Sequence, residues 1–103
     1  MPPTASANTA LNAILPLIEK GDAYSAHQKA RTFGSRYLKA KSYPVAIEVL
    51  FQSARELLKA GQPGSGTDIG AFLIEAYDQS GQTVTDESRG IIIQFQTKEE
   101  YDV

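Results

Sequence analysis

The chain has 103 residues, 42% hydrophobic and 21% charged, with a formal net charge of −2 and no cysteine. That is one domain or a piece of one, long enough for a modest core. The missing cysteines exclude disulfide scaffolds, thiolate metal sites and cysteine nucleophiles.

The charge is unevenly spread. Residues 1–41 hold six Lys/Arg against Glu19 and Asp22, whereas residues 60–103 hold eight acids against Arg89 and Lys98. A basic front and an acidic back favour docking to an acidic protein partner over binding nucleic acid. Residues 1–8 carry no Lys or Arg, so nothing there resembles a secretory or transit signal. The apolar patch from Ala10 to Ile18 is too short to cross a bilayer. The expectation is a cytosolic protein.

Residues 1–7, with Pro2, Pro3 and Ser6, read as a flexible leader. A first helix is expected from Asn8 to Lys20, with Leu11, Ile14, Leu15 and Ile18 at 3–4 spacing. Pro16 removes a backbone hydrogen bond and is expected to kink or split it. Gly21 ends the helix, and Asp22 is placed to cap the next.

Helix two is expected from Ala23 to Ala40. Its apolar face is Ala26, Ala30, Phe33 and Tyr37, with Ala23 and Gly34 at the margin. Lys29, Arg36 and Lys39 fall on the opposite, wet side. His27 and Arg31 lie apart from them, on a flank shared with Tyr24 and Leu38, and read as packing residues.

Ser42 is expected to cap helix three, where Pro44 in the first turn costs little. Two adjacent stripes follow: Ala46, Val49, Leu50 and Leu57, then Ile47, Phe51, Ala54 and Leu58. So wide an apolar arc means burial on two sides, as in the interior of a solenoid. Residues 61–66 read as a loop, with Ser65 or Thr67 capping a fourth helix over Asp68–Ser80. Ile69, Phe72, Leu73, Ile74, Ala76 and Tyr77 form its broad apolar arc, and Gly81 ends it. A helix start at Thr85-Asp86-Glu87 precedes Ile91-Ile92-Ile93, which lacks a helical period. Residues 90–103 therefore read as an atypical tail, disordered or non-native.

The breaks recur at intervals of about 20 residues, the spacing of stacked helical hairpins. Gly21-Asp22-Ala23-Tyr24 and Lys41-Ser42-Tyr43 hint at a degenerate repeat, each followed by a small residue, Ala26 or Ala46. The expected fold is all-α: an α-solenoid of antiparallel helical hairpins, TPR-like, with about four helices in a repeat domain over residues 8–89.

No catalytic constellation stands out. Gly61-Gln62-Pro63-Gly64-Ser65-Gly66-Thr67-Asp68 looks superficially like a phosphate loop, but it lacks the Lys-Ser/Thr and the preceding strand, and Asp68 would repel phosphate. His27, the sole histidine, has no motif placing a serine beside it and reads as structural. No metal or cofactor site is expected. Without Trp, Arg-Gly repeats or a basic pI, nucleic-acid binding is set aside. The terminal Tyr101-Asp102-Val103, a possible sheet-edge ligand, is set aside as chance.

Ala26-His27-Gln28-x-x-Arg31-Thr32, Arg36-Tyr37, Ser42-Tyr43-x-x-Ala46-Ile47-Glu48, Gly64-Ser65-Gly66-Thr67-Asp68 and Glu75-x-Tyr77 occur in order. Together they resemble the fourth subunit of the guided-entry-of-tail-anchored-proteins (GET) pathway, in a fungal form, over residues 11–89. That resemblance implies an α-solenoid and a non-catalytic cytosolic scaffold. Its N-terminal helices would dock the pathway's targeting ATPase, and a ubiquitin-like adaptor would bind C-terminal helices outside this segment. It assigns Lys39 to ATPase docking, and Lys29 and Arg36, which share its wet face, are docking candidates with it. Asp68 matches a second, regulatory contact. No nucleic acid and no direct membrane insertion are implied. The chain departs from the family in lacking a basic residue before Lys20, and in its tail. A peptide-binding helical-repeat clamp is the alternative reading.

Overall fold

The computed structural model describes residues 5–81, which form four α-helices: α1 (Ala5–Glu19), α2 (Ala23–Lys39), α3 (Tyr43–Lys59) and α4 (Pro63–Ser80). Residues 1–4 of the leader, the helix start expected at Thr85 and the tail 90–103 lie outside the described residues.

The helices are joined by residues 20–22, 40–42 and 60–62, and the three connectors share one geometry. Asp22, Ser42 and Gln62 donate their N–H groups to Leu17, Tyr37 and Leu57 at 2.8, 2.8 and 2.9 Å. Gly21, Lys41 and Gly61, one residue earlier, take left-handed φ values of 89°, 59° and 75°. This arrangement satisfies the last carbonyls of each helix and reverses the chain tightly, so sequential helices lie antiparallel. The weak repeat read at residues 21 and 41 thus extends to 61, at an interval of 20 residues.

Lys41 holds the left-handed position where the other two connectors have glycine. A Cβ there crowds the carbonyl oxygen. Lys41→Gly is expected to stabilise the fold by about 0.5–1 kcal/mol, raising the melting temperature by a few degrees. Calorimetry showing no rise would contradict that.

α1 begins at Ala5, not Asn8, so it takes in residues read as leader, and Ala7 is fully buried. Tyr37 secures this end by donating its hydroxyl to the Ser6 carbonyl at 3.1 Å. Pro16 does not split the helix. It stands on the exposed side, as does Asn12, so water can reach the Asn12 carbonyl that the missing N–H leaves without its helical partner.

α2 turns a different edge inward from the one expected. Its buried line is Ala26, Ala30, Gly34 and Leu38, while Phe33 and Tyr37 are half-buried and stack with centroids 6.1 Å apart. Leu38, expected on the flank, is core. Tyr24, assigned the same flank, is 73% exposed. Small residues win the interior because α2 crosses α3 and α4 closely. A Cβ at Gly34 would stand 2.8 Å from Leu50 and 3.2 Å from Phe72.

α3 is the hub, packed against α1, α2 and α4. Both expected stripes are present, with Leu58 half-buried at the edge. Ser42 occupies the N-cap position, yet its side chain makes no capping bond. Ser53, unremarked in the sequence, is fully buried with its hydroxyl unpartnered. An unmet buried hydroxyl costs about 1–3 kcal/mol. Ser53→Ala is therefore expected to stabilise the chain by about 1 kcal/mol. An unchanged denaturant midpoint would show that this hydroxyl is satisfied.

α4 corrects the sequence reading most. It starts at Pro63, so the presumed loop Gly64-Ser65-Gly66 is its first turns, and neither Ser65 nor Thr67 is the cap. The N-cap is Gln62, whose side chain makes no capping bond, and proline stands at the position it tolerates best. Gly66 is buried against α3 and serves helix approach, not a turn. Ile74, counted in the apolar arc, is 43% exposed. Ile69, Phe72, Leu73, Ala76 and Tyr77 form the buried side.

Candidate functional site

α2 carries Lys29, Arg31, Arg36 and Lys39 and no acid between Ala23 and Lys39. The 100° step per residue sets Arg31, Ser35 and Lys39 along one ridge, with Thr32 and Arg36 beside it. These five residues line a shallow open groove of about 480 Å³. A second depression of about 360 Å³ continues toward α4, over Leu38 and Phe72, with Glu75 and Gln79 on its far side.

Aromatic rings hold the cations in place. The Arg36 guanidinium lies 5.5 Å from the Phe33 ring centroid, and that of Arg31 lies 5.0 Å from Phe72. Stacking at such sites contributes about 0.5–1 kcal/mol and reduces the freedom of a long side chain. The half-buried Phe33 and Tyr37 pair, which the sequence reading placed in the core, is part of this support.

Arg31 is bound on its other side as well. Its Nη1 donates to Asp68 Oδ2 at 2.8 Å, and His27 Nε2 donates to the same oxygen at 2.5 Å. The His27 hydrogen bond holds the Asp68 carboxyl below its ordinary range; burial opposes this, and the Arg31 hydrogen bond adds to it. A lowered folded-state pKa means stability that is complete above the unfolded value of about 4 and lost as pH falls through the folded one. Asp68 is 44% exposed, so the contribution is at most about 1 kcal/mol. Wild type is expected to melt above Asp68→Asn at pH 7, the gap closing below about pH 4. A gap independent of pH would assign the effect to packing.

The four candidate residues separate in space. Arg36 and Lys39 line the groove, Lys29 is exposed outside it, and Asp68 lies across on α4. Because α4 starts at Pro63, Asp68 sits within the helix body and not at its start. Arg31, read as standing apart, joins Arg36 and Lys39 in the groove wall. His27 and Arg31 were legible as one ridge, being four residues apart. Asp68 lies 41 residues from His27, about two repeat intervals on, so the period itself held a signal for this meeting. Among the described residues no hydroxyl group bonds His27. Among the described residues no group of three or more His, Asp or Glu gathers as for a metal ion. None of their helices is long and apolar enough to cross a membrane.

Antiparallel helices on one repeating connector, with a cationic groove on α2, define a helical-repeat fold of the α-solenoid type. Comparison with known proteins agrees. The family described as Golgi to ER traffic protein 4 matches residues 40–102. The Golgi to ER traffic protein 4 of Aspergillus fumigatus is 40% identical over 73 residues, covering 66% of this chain and 21% of that protein. The Gallus gallus homolog is 34% identical over 70 residues, covering 68% and 22% respectively. The structure titled "Crystal structure of C. therm. Get4" superimposes with a TM-score of 0.75 at 30% identity, over 84% of this chain and 29% of that one. The chain belongs to the Golgi to ER traffic protein 4 family. It spans about a fifth of the length of the curated relatives it matches.

Proposed function

We propose that this segment is the ATPase-docking part of a non-catalytic scaffold that delivers tail-anchored membrane proteins toward the endoplasmic reticulum from the cytosol. The observation that carries this reading is the charge of α2: four cations, no acid, and three of the cations around one open groove. Such a surface attracts an acidic partner over a Debye length and speeds encounter, while the aromatic supports limit the ordering cost on docking. Arg36 and Lys39 form the contact, Lys29 extends its field, and Asp68 offers an acidic counterpoint across the groove. The groove is shallow, which suits a protein surface better than an enclosed small molecule. The ubiquitin-like adaptor is assigned to parts of the scaffold beyond this segment.

Calorimetric titration with the pathway's targeting ATPase at 50 and 300 mM salt tests the proposal. Binding that weakens steeply with salt supports it. Absence of binding at low salt, or binding indifferent to salt, sinks it, and salt-indifferent capture of extended peptides instead would favour the clamp reading.

A further inference from the structure

Each helix of this chain is followed by a residue with a left-handed backbone. Gly21, Lys41, Gly61 and Gly81 come after α1, α2, α3 and α4 with φ values of 89°, 59°, 75° and 69°. Glycine adopts that conformation freely, whereas a residue with a Cβ is strained in it. Lys41 is the exception, the one non-glycine at positive φ among the described residues. Contacts within the fold do not offset this strain. Lys41 is exposed, and among the described residues its side chain makes no ion pair and no hydrogen bond.

The field of α2 does not account for the lysine either. A cation near a helix C-terminus is stabilising, because the last carbonyls carry partial negative charge. By that rule a lysine belongs after α4, whose last turn holds no cation, yet α4 ends in Gly81. α2 already has Arg36 and Lys39 in its last turn. A third cation two residues beyond Lys39 gains little from the helix dipole and is repelled by its neighbours. The stretch from Arg36 to Lys41 thus holds three cations and no acid. Strain and repulsion kept at an exposed residue with no partner inside the fold point outward, to function.

We propose that Lys41 is a docking cation, which carries the positive surface of α2 past the end of the groove and onto the connector to α3, where it meets an acid of the targeting ATPase. The proposal rests on the docking reading and deepens it by placing the partner's acids toward the C-terminal end of α2. Arg36 and Lys39 line the groove there, and Lys41 follows directly. Lys29 lies two turns before Arg36, about 10 Å back along the helix. A glycine at 41 would hold the connector with less strain, but it would leave the partner's acids two cations instead of three. Stability and binding are thus set against each other at a single residue.

Lys41→Gly is therefore expected to melt above wild type and yet bind the targeting ATPase about three- to fivefold more weakly at low salt. The loss is expected in the association rate, and to shrink at high salt. Lys41→Asn separates charge from chain freedom, since asparagine tolerates the left-handed backbone without glycine's flexibility. It is expected to lose affinity as Lys41→Gly does, and Lys41→Arg is expected to bind like wild type. Stopped-flow kinetics and calorimetry read all four proteins. If Lys41→Gly and Lys41→Asn bind as tightly as wild type while Arg36→Glu/Lys39→Glu loses binding, the role of Lys41 is overturned and the docking surface stands. A loss in Lys41→Gly that Lys41→Asn does not share, or one accompanied by lower stability, would overturn it too. If wild type itself does not bind the ATPase, the docking reading and the role of Lys41 fall together.

Discussion

Gly66→Val is expected to lower the melting temperature of this chain by roughly 8–16 °C, the consequence of losing about 2 kcal/mol in a domain of this size. A Cβ on Gly66 would lie 2.8 Å from Leu58 Cδ2, 2.9 Å from Cγ and 3.4 Å from the Leu58 backbone nitrogen. The Cγ is close to the root of the side chain, so Leu58 cannot clear the space by swinging its tip. α4 must move off α3, or Leu58 must leave its rotamer. Valine adds two methyl groups to that conflict. Gly66→Ala is expected to fall between, because helix propensity returns up to about 1 kcal/mol. Gly64 is the internal control. It lies two residues earlier in the same helix, and a Cβ there meets nothing within 4 Å. Gly64→Ala is expected to stabilise slightly, by about 0.5 kcal/mol, through loss of unfolded-state freedom. Opposite signs at the two glycines, read by calorimetry, identify Gly66 as an approach site. Equal signs would mean that the α3–α4 crossing is looser than described.

The second large effect concerns binding. Reversing Arg36 and Lys39 together to Glu is expected to weaken ATPase binding about 100-fold or more at low salt, with each single reversal costing about tenfold. Each reversal replaces attraction by repulsion in the same groove, and Arg36→Glu also abandons the Phe33 ring that supports it. The loss should shrink as salt is raised, because exposed charges are screened. Lys29→Glu, outside the groove, is expected to act mainly on the association rate. Stopped-flow kinetics separate these cases. Unaltered affinity of a folded Arg36→Glu/Lys39→Glu protein would move the docking surface away from α2.

Much of the fold could be read along the chain because amphipathic periods and breaks are local signals. The apolar stripes of α3, the ends of α2 and the 20-residue interval follow from which residues recur every three or four positions. The misreadings share a cause. Gly64 and Gly66 looked like loop residues because glycine's conformational freedom is its best-known use. Here Gly66 was chosen for its missing Cβ, and that reason exists only once α3 lies against α4. The inward edge of α2 likewise kept Ala26 and Ala30 but moved from Phe33 and Tyr37 to Gly34 and Leu38. A close crossing selects small side chains, and hydrophobicity alone ranks the aromatic residues above them.

The candidate site divides in the same way. The cationic character of α2 was legible in composition, since no acid interrupts Lys29, Arg31, Arg36 and Lys39. Their grouping was not, because an angle on one helix cannot say which neighbour closes a groove.

The sequence by itself determined an all-α chain with a repeating break and one cationic helix, since each depends on residues close together along the backbone. It also carried the family's motifs. Only the tertiary structure decided that Asp68 is held by His27 and Arg31, that Arg31 shares the groove with Arg36 and Lys39, and that Gly66 is a helix contact. The two contacts to Asp68 span 41 and 37 positions, and Gly66 meets Leu58 only where α4 crosses α3, so helix packing sets them and no local pattern encodes them.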